Sequence, residues 1–271
     1  MRSGDGLGPR TDLWGPTLRE IVKAVAAWRI WGVTAIDDIV GRYRRTMLGP
    51  LWITLGQAGF IGGLYLLRSK FSDENINYLV YLSASISTWG LLASFIVDGS
   101  SSLIKAKGFV ESFPIPMAIH SVRAVAAAFI NYAHLMIVYL VIVVASRDWP
   151  GVAFLEFFPG LAIFLIFGLG TVLLLGPLGA RFRDLAPAAG MAMSLMFVLT
   201  PVFWVPEAAQ LHTALVMYNP FYYLLEVVRA PLIGQTVPLH TWLVATVLAV
   251  GALVSGLIVY VRMRQQIVYW L

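Results

Sequence analysis

Three arginines, Arg42, Arg44 and Arg45, stand with Tyr43 just ahead of the first long apolar run. Guanidinium groups pair in two-point fashion with phosphate oxygens, so the cluster suits a phosphate-bearing ligand at a membrane surface. Anchoring to anionic lipid would by itself explain the same charges. Asp37 and Asp38 have Gly41 where a magnesium-binding DDxxD pair needs its third carboxylate, so they read as acids on a solvated helix face. His120, His134, His212 and His240 share no short ligand spacing, and cysteine is absent, so no metal site is predicted. None of the four lysines follows a glycine, which excludes a P-loop and with it ATP hydrolysis by this chain alone. His134 reads as a hydrogen-bonded structural histidine and receives no mechanism.

A different chemistry is available around residue 80, where Tyr78, Tyr81, Ser85 and Thr88 fall on one helical face with Ser83, Ser87, Trp89 and Ser94 nearby. Aromatic rings stack on sugar faces and hydroxyls exchange hydrogen bonds with sugar hydroxyls, so this wall suits a sliding glycan. Interhelical packing through Ser and Thr, and interfacial anchoring through Tyr, are the alternatives.

The elements that must position these residues follow from hydropathy. The chain is 59% hydrophobic and 12% charged, with mean hydropathy +0.80, a balance that no water-soluble core absorbs. Apolar runs recur at about 51–67, 76–97, 122–145, 157–178, 187–204 and 242–261, each long enough for a helix to cross a bilayer. The expected fold class is therefore an all-α integral membrane protein with six spans. It divides into a cytoplasmic segment, 1–50, and a six-span domain, 51–271. Charged residues throughout the first twenty positions leave no signal-peptide core, so the amino terminus is expected in the cytoplasm. Fifteen of the 19 Lys and Arg fall on that side of the predicted topology, which puts both termini there. The basic residues cluster around apolar runs and form no continuous face, so nucleic acid is not an expected partner.

Three shorter segments have recognisable shapes. Thr17 to Glu20 reads as a capping box opening an amphipathic helix, with Leu18, Ile21, Val22, Val25 and Trp28 on one side, laid in the headgroup layer or packed on another subunit. Between the second and third spans, Pro114 and Pro116 stop any continuous helix, leaving a short cytoplasmic one near Ser101 to Glu111 that carries Lys105 and Lys107. Beyond the fifth span, Asn219-Pro220 and Pro231 cut an apolar stretch into pieces too short to span, Glu207 to Met217 and Phe221 to Ala230, read as a helical hairpin dipping into the outer leaflet. Gly59 with Gly63, and Gly251 with Ser255, make small-residue patterns that allow close helix approach.

The run Arg42-Tyr43-Arg44-Arg45-Thr46-Met47-Leu48-Gly49-Pro50-Leu51-Trp52 resembles the entrance motif of ABC-2 type permeases that export polysaccharides, the O-antigen (Wzm) branch especially. Thr200-Pro201-Val202-Phe203-Trp204, Asn219-Pro220-Phe221-Tyr222 and Val228-Arg229-Ala230-Pro231-Leu232-Ile233-Gly234 resemble that branch's fifth-span end and periplasmic gate, in order and spacing. The resemblance implies a homodimer in the bacterial inner membrane, driven by two copies of a separate ABC ATPase that carry the ATP and magnesium, with no cofactor in this chain. The implied cargo is a polyprenyl-diphosphate-linked glycan, whose pyrophosphate would meet Arg42, Tyr43, Arg44 and Arg45. Rival cargoes are teichoic acid, capsule, mycobacterial-type galactan and small amphiphiles. A membrane enzyme acting on polyprenyl phosphates is the answer of a different class, and no carboxylate or histidine constellation supports it. Transferred residue by residue, ATPase coupling falls to Leu18 to Thr46 and to Lys105, Lys107 and Glu111. The gate falls to Tyr218, Asn219, Pro220, Phe221, Tyr222, Glu226 and Arg229, and the channel lining to Tyr65, Tyr78, Tyr81, Ser85, Thr88, Trp89, Phe197, Phe203 and Trp204.

Overall fold

The computed structural model describes residues 14–67, 77–112, 116–206 and 216–271. Among the described residues every regular element is helical. Helices α1 (Trp14–Ala26) and α2 (Trp28–Arg42) precede α3 (Leu51–Tyr65), α4 (Tyr78–Lys105), the short α5 (Lys107–Ser112) and α6 (Ala118–Ser146). A 3-10 turn, Gly151–Glu156, leads into α7 (Phe157–Arg181), followed by α8 (Leu185–Leu199), α9 (Pro220–Leu232), α10 (Leu239–Met263) and α11 (Ile267–Trp270).

Four helices are long and apolar enough to cross a membrane, namely α4, α6, α7 and α10. The two remaining runs form shorter helices, α3 and α8, of 15 residues each. At 1.5 Å per residue such a helix reaches about 22 Å, short of the ~30 Å hydrocarbon layer. Proline sets both limits: Pro50 opens α3, and α8 stops at Leu199 because Thr200 precedes Pro201 and takes an extended conformation. The predicted fifth span thus overran its helix by five residues.

Helix α4 departs from expectation in the other direction, running unbroken past the predicted end at 97 to Lys105. Its Ser83, Ser87, Ser100 and Ser102 hydroxyls donate to carbonyls three or four residues back, so polar side chains lie in the helix without needing water. The expected separate helix from Ser101 is instead the last turn of α4 followed, after Ala106, by the six residues of α5. α4 is also the central helix, with 67% of its most apolar stretch buried against 17% for α10.

The amino-terminal helix is already formed at Trp14, so Thr17 lies inside it and does not cap it. The Thr17 hydroxyl accepts from Arg264 at 2.9 Å, while Glu20 accepts from Tyr260 at 3.0 Å and pairs with Arg264 at 3.0 Å. Of the expected apolar face, Ile21 packs with Ala24 and Ala27 on Ile119, Leu173, Ala180 and Tyr260 of the same chain. Leu18, Val22, Val25 and Trp28 remain exposed on the other side. The 207–215 half of the expected hairpin lies outside the described residues, and its second half is α9.

Close packing is set on α7 and not where the small-residue patterns predicted. A Cβ on Gly170 would sit 2.3 Å from the Leu253 nitrogen, and one on Gly256 would sit 2.1 Å from the Gly170 oxygen, so α7 and α10 touch backbone to backbone. Gly59, Gly63 and Gly251 face open space. We expect Gly256→Val to destabilise the protein by roughly 3 kcal/mol through overpacking, read as a lowered melting temperature in detergent, while Gly251→Ala leaves it unchanged.

Candidate functional site

Three places collect the chemistry. At the first, the carbonyls left without helical partners after α8 stops are gathered by side chains from α4 and α9. The Tyr81 hydroxyl lies 2.9 Å from the oxygens of Pro201 and Trp204, and Tyr78 donates to the Phe203 oxygen. Arg229 lies 3% exposed beneath them; it donates to Pro201 and, at 2.7 Å, to the Tyr81 hydroxyl, and pairs with Glu226 one turn earlier. Its guanidinium also faces the Tyr81 ring at 4.8 Å. Asn219 completes the knot, donating to Thr200 Oγ1 at 2.9 Å and capping α9 through the Phe221 amide at 2.9 Å.

The knot joins all three segments of the carboxyl-half resemblance, a convergence not readable from their separation in sequence. It also places Tyr78, Tyr81, Ser85 and Thr88 in the interior of the protomer, and among the described residues they are buried and present no open wall. Tyr65 is half-buried beside Tyr78, Trp204 is buried with its indole N–H on the Val198 oxygen at 3.1 Å, Tyr218 and Pro220 are exposed, and Tyr222 is half-buried.

The second place is an aromatic groove of about 670 Å³ between α3, α4 and α8, lined by Trp52, Phe60, Trp89, Phe197 and Gln57 among others. Its rings interlock: Phe197 lies 6.1 Å from Phe60, 5.9 Å from Trp89 and 5.6 Å, stacked, from Phe203, and Trp89 meets Phe221 edge-on at 6.0 Å. Gln57 Nε2 donates to Ser87 at 2.7 Å and Thr54 to the His134 oxygen at 3.3 Å, which keys the short α3 to α4 and α6. His134 itself is held on the Ile130 oxygen at 2.9 Å. Phe60 had no standing in the sequence reading and Trp52 only that of the last residue of the entrance motif, though an i, i+8 aromatic pair on one helical face was there to be found.

The third place lies at the opposite end of α4 from the knot. A cavity of about 300 Å³ between α2, α4 and α6 is lined by Asp38, Arg42, Tyr43, Asp98, Lys105, His120, Arg123 and Asn131, among others. Asp37 is exposed as expected, and Asp38, its side chain still 38% exposed, makes a two-point ion pair with Arg123, whose guanidinium also covers Phe109 of α5 at 4.9 Å. Lys105 pairs with Asp98 at 2.8 Å. Arg44, Arg45 and Lys107 are exposed outside the cavity, and the Glu111 side chain lies outside the described residues. Asp38, His120 and Arg123 escaped the sequence reading because 82 residues separate Asp38 from His120.

The chain is thus a helical membrane protein with a polar knot and a basic cavity at opposite ends of α4 and an aromatic groove along α3, α4 and α8. Residues 34–233 match the ABC-2 type transporter family, and the chain belongs to it. It is similar to the O-antigen export system permease protein RfbA of Klebsiella pneumoniae, at 24% identity over 186 residues, covering 68% of this chain and 72% of that protein. It is also similar to the O-antigen export system permease protein RfbA of Myxococcus xanthus, at 23% over 168 residues, covering 62% and 65% respectively.

Replacing Arg229 alone strands the buried Glu226 charge, and we expect Arg229→Met to cost about 3–5 kcal/mol. Arg229→Met with Glu226→Leu should recover most of that loss in the same detergent melting experiment.

Proposed function

We propose that this chain is the membrane subunit of an ATP-driven exporter that moves a polyprenyl-diphosphate-linked, O-antigen-like glycan outward across the bacterial inner membrane. The observation that carries the reading is the aromatic groove between α3, α4 and α8 in a chain of this family. Aromatic faces bind sugar rings without a deep minimum, which suits a polymer that must keep moving. The groove opens along α3, whose Gly59 and Gly63 face open space. A second copy closing that side would turn the groove into a channel, with Trp52, Phe60, Trp89, Phe197 and Phe203 as its lining. The two shorter helices, α3 and α8, then serve as the first and fifth of six spans, extended at their ends by non-helical backbone.

In this reading both termini are cytoplasmic, and energy comes from two copies of an ABC ATPase that hold ATP and magnesium. The ATPase docks on α1, α2 and α5, the last of which includes Glu111, with Lys107 exposed there and Lys105 turned toward Asp98. Because α1 is ion-paired to α10 through Glu20 and Arg264, a push there is delivered directly to a long span. At the far end Tyr218, Asn219, Pro220, Phe221, Tyr222, Glu226 and Arg229 form the gate, and Arg42, Tyr43, Arg44 and Arg45 border the entrance. The names of the RfbA relatives support the glycan cargo.

Depleting the protein in its host, with extraction of lipid-linked glycans and labelling of surface polysaccharide, tests the reading. Glycan lost at the surface and accumulated inside is the expected outcome, and its sugars identify the cargo. Normal distribution of both pools would overturn the glycan assignment. In addition, Lys107→Glu is expected to reduce co-purification of the ATPase severalfold, because one reversed charge at a docking surface slows association and weakens the contact.

A further inference from the structure

The cavity between α2, α4 and α6 has a chemistry that neither fold nor packing requires. His120 lines it at 3% exposure, and among the described residues both ring nitrogens lack a hydrogen-bond partner. A buried imidazole left in that state costs free energy unless something fills its donor and acceptor sites. Arg42, on the rim, has no ion pair or hydrogen bond among the described residues. Both carboxylates of the cavity are already committed, Asp38 to Arg123 and Asp98 to Lys105. Those pairings use two of the five N–H donors of Arg123 and one of the three of Lys105, and the rest are available. With three cations against two anions, the cavity keeps one net positive charge. Its floor is polar as well, with Ser94 and Asn131, while Ala124, Ala127 and Ala128 leave the wall unobstructed.

We propose that this cavity is a binding site for a phosphate-bearing headgroup, in which Arg42 supplies the charge-assisted pair and His120 an N–H donor from below. A phosphate group presents several strong acceptors in a small volume, which matches unused donors converging on a space of about 300 Å³. A simple cation is disfavoured by the net charge, and an apolar ligand by the lining. The site is distinct from Arg44 and Arg45, which project outside it. Its place at the inner leaflet rests on the export reading, but the phosphate chemistry does not.

The test is binding by the purified full chain in phosphatidylcholine nanodiscs, read by native mass spectrometry and phosphorus NMR. The probes are undecaprenyl phosphate, phosphatidylglycerol and inorganic pyrophosphate. At least one probe is expected to bind the wild type and to bind Arg42→Gln roughly tenfold more weakly, the scale of one lost charge-assisted contact. His120→Leu should show the same loss, and Arg183→Gln, an exposed arginine between α7 and α8, should not. Arg42 is exposed and unpaired among the described residues, so its variant keeps the test decisive even where His120→Leu fails to fold. Preference for the polyprenyl phosphate assigns the site to a lipid carrier, preference for phosphatidylglycerol to bulk lipid, and binding of pyrophosphate alone to a free anion; each supports a phosphate site. Binding that is unchanged in Arg42→Gln, or absent in the wild type, overturns it. Neither ATPase nor export is needed for this readout, so its failure leaves the export reading standing.

Discussion

Where a helix stops inside a membrane protein, its last carbonyls and those of the irregular backbone that follows must find donors within the protein, because the surrounding hydrocarbon offers none. The stop at Pro201 exposes this requirement, and the answer is assembled from far away: Tyr78 and Tyr81 from the start of α4, and Arg229 from α9. Satisfying those carbonyls brings a charged side chain into the interior, and Glu226 is what makes that charge tolerable. Around the knot the geometry of the whole end follows. The Tyr139 hydroxyl reaches the Leu232 oxygen at 2.7 Å, binding α6 to the end of α9, and Glu156 accepts from the Val237 amide at 2.8 Å, joining the starts of α7 and α10.

The opposite end is organised by ion pairs and not by carbonyl capture. Glu20–Arg264 and Asp38–Arg123 tie the two amino-terminal helices to α10 and α6. An amphipathic segment that would otherwise only rest on lipid becomes a rigid part of the bundle. Between the two ends, the backbone contact of Gly170 with Gly256 fixes α7 against α10, while α3 keeps most of its surface uncommitted within one protomer. That contrast separates a closely packed set of long helices from a short one held within the protomer by little more than Gln57, Thr54 and Ile61.

The sequence by itself determined the class of the molecule. Hydropathy and charge are sums over local stretches, so the helical membrane character, the long apolar runs and the clustering of basic residues at one end were all legible. So were the breaks imposed by proline, and the ordered motifs at 42–52, 200–204 and 219–234 pointed to the ABC-2 family that the match over 34–233 established. Only the tertiary structure decided which polar residues face each other. Tyr81 has the same local signature whether it lines a channel or cross-braces a core, and its burial with the hydroxyl on the Pro201 oxygen distinguishes the two. Thr17 and Glu20 match a capping box in spacing, yet Arg264, more than 240 residues away, takes both. Asp38 gave no sign of an ion pair because its partner Arg123 stands 85 positions further on. Side-chain partners at that separation are fixed by how the helices pack, and packing depends on the volume and shape of every neighbour at once, which no local pattern in the chain records.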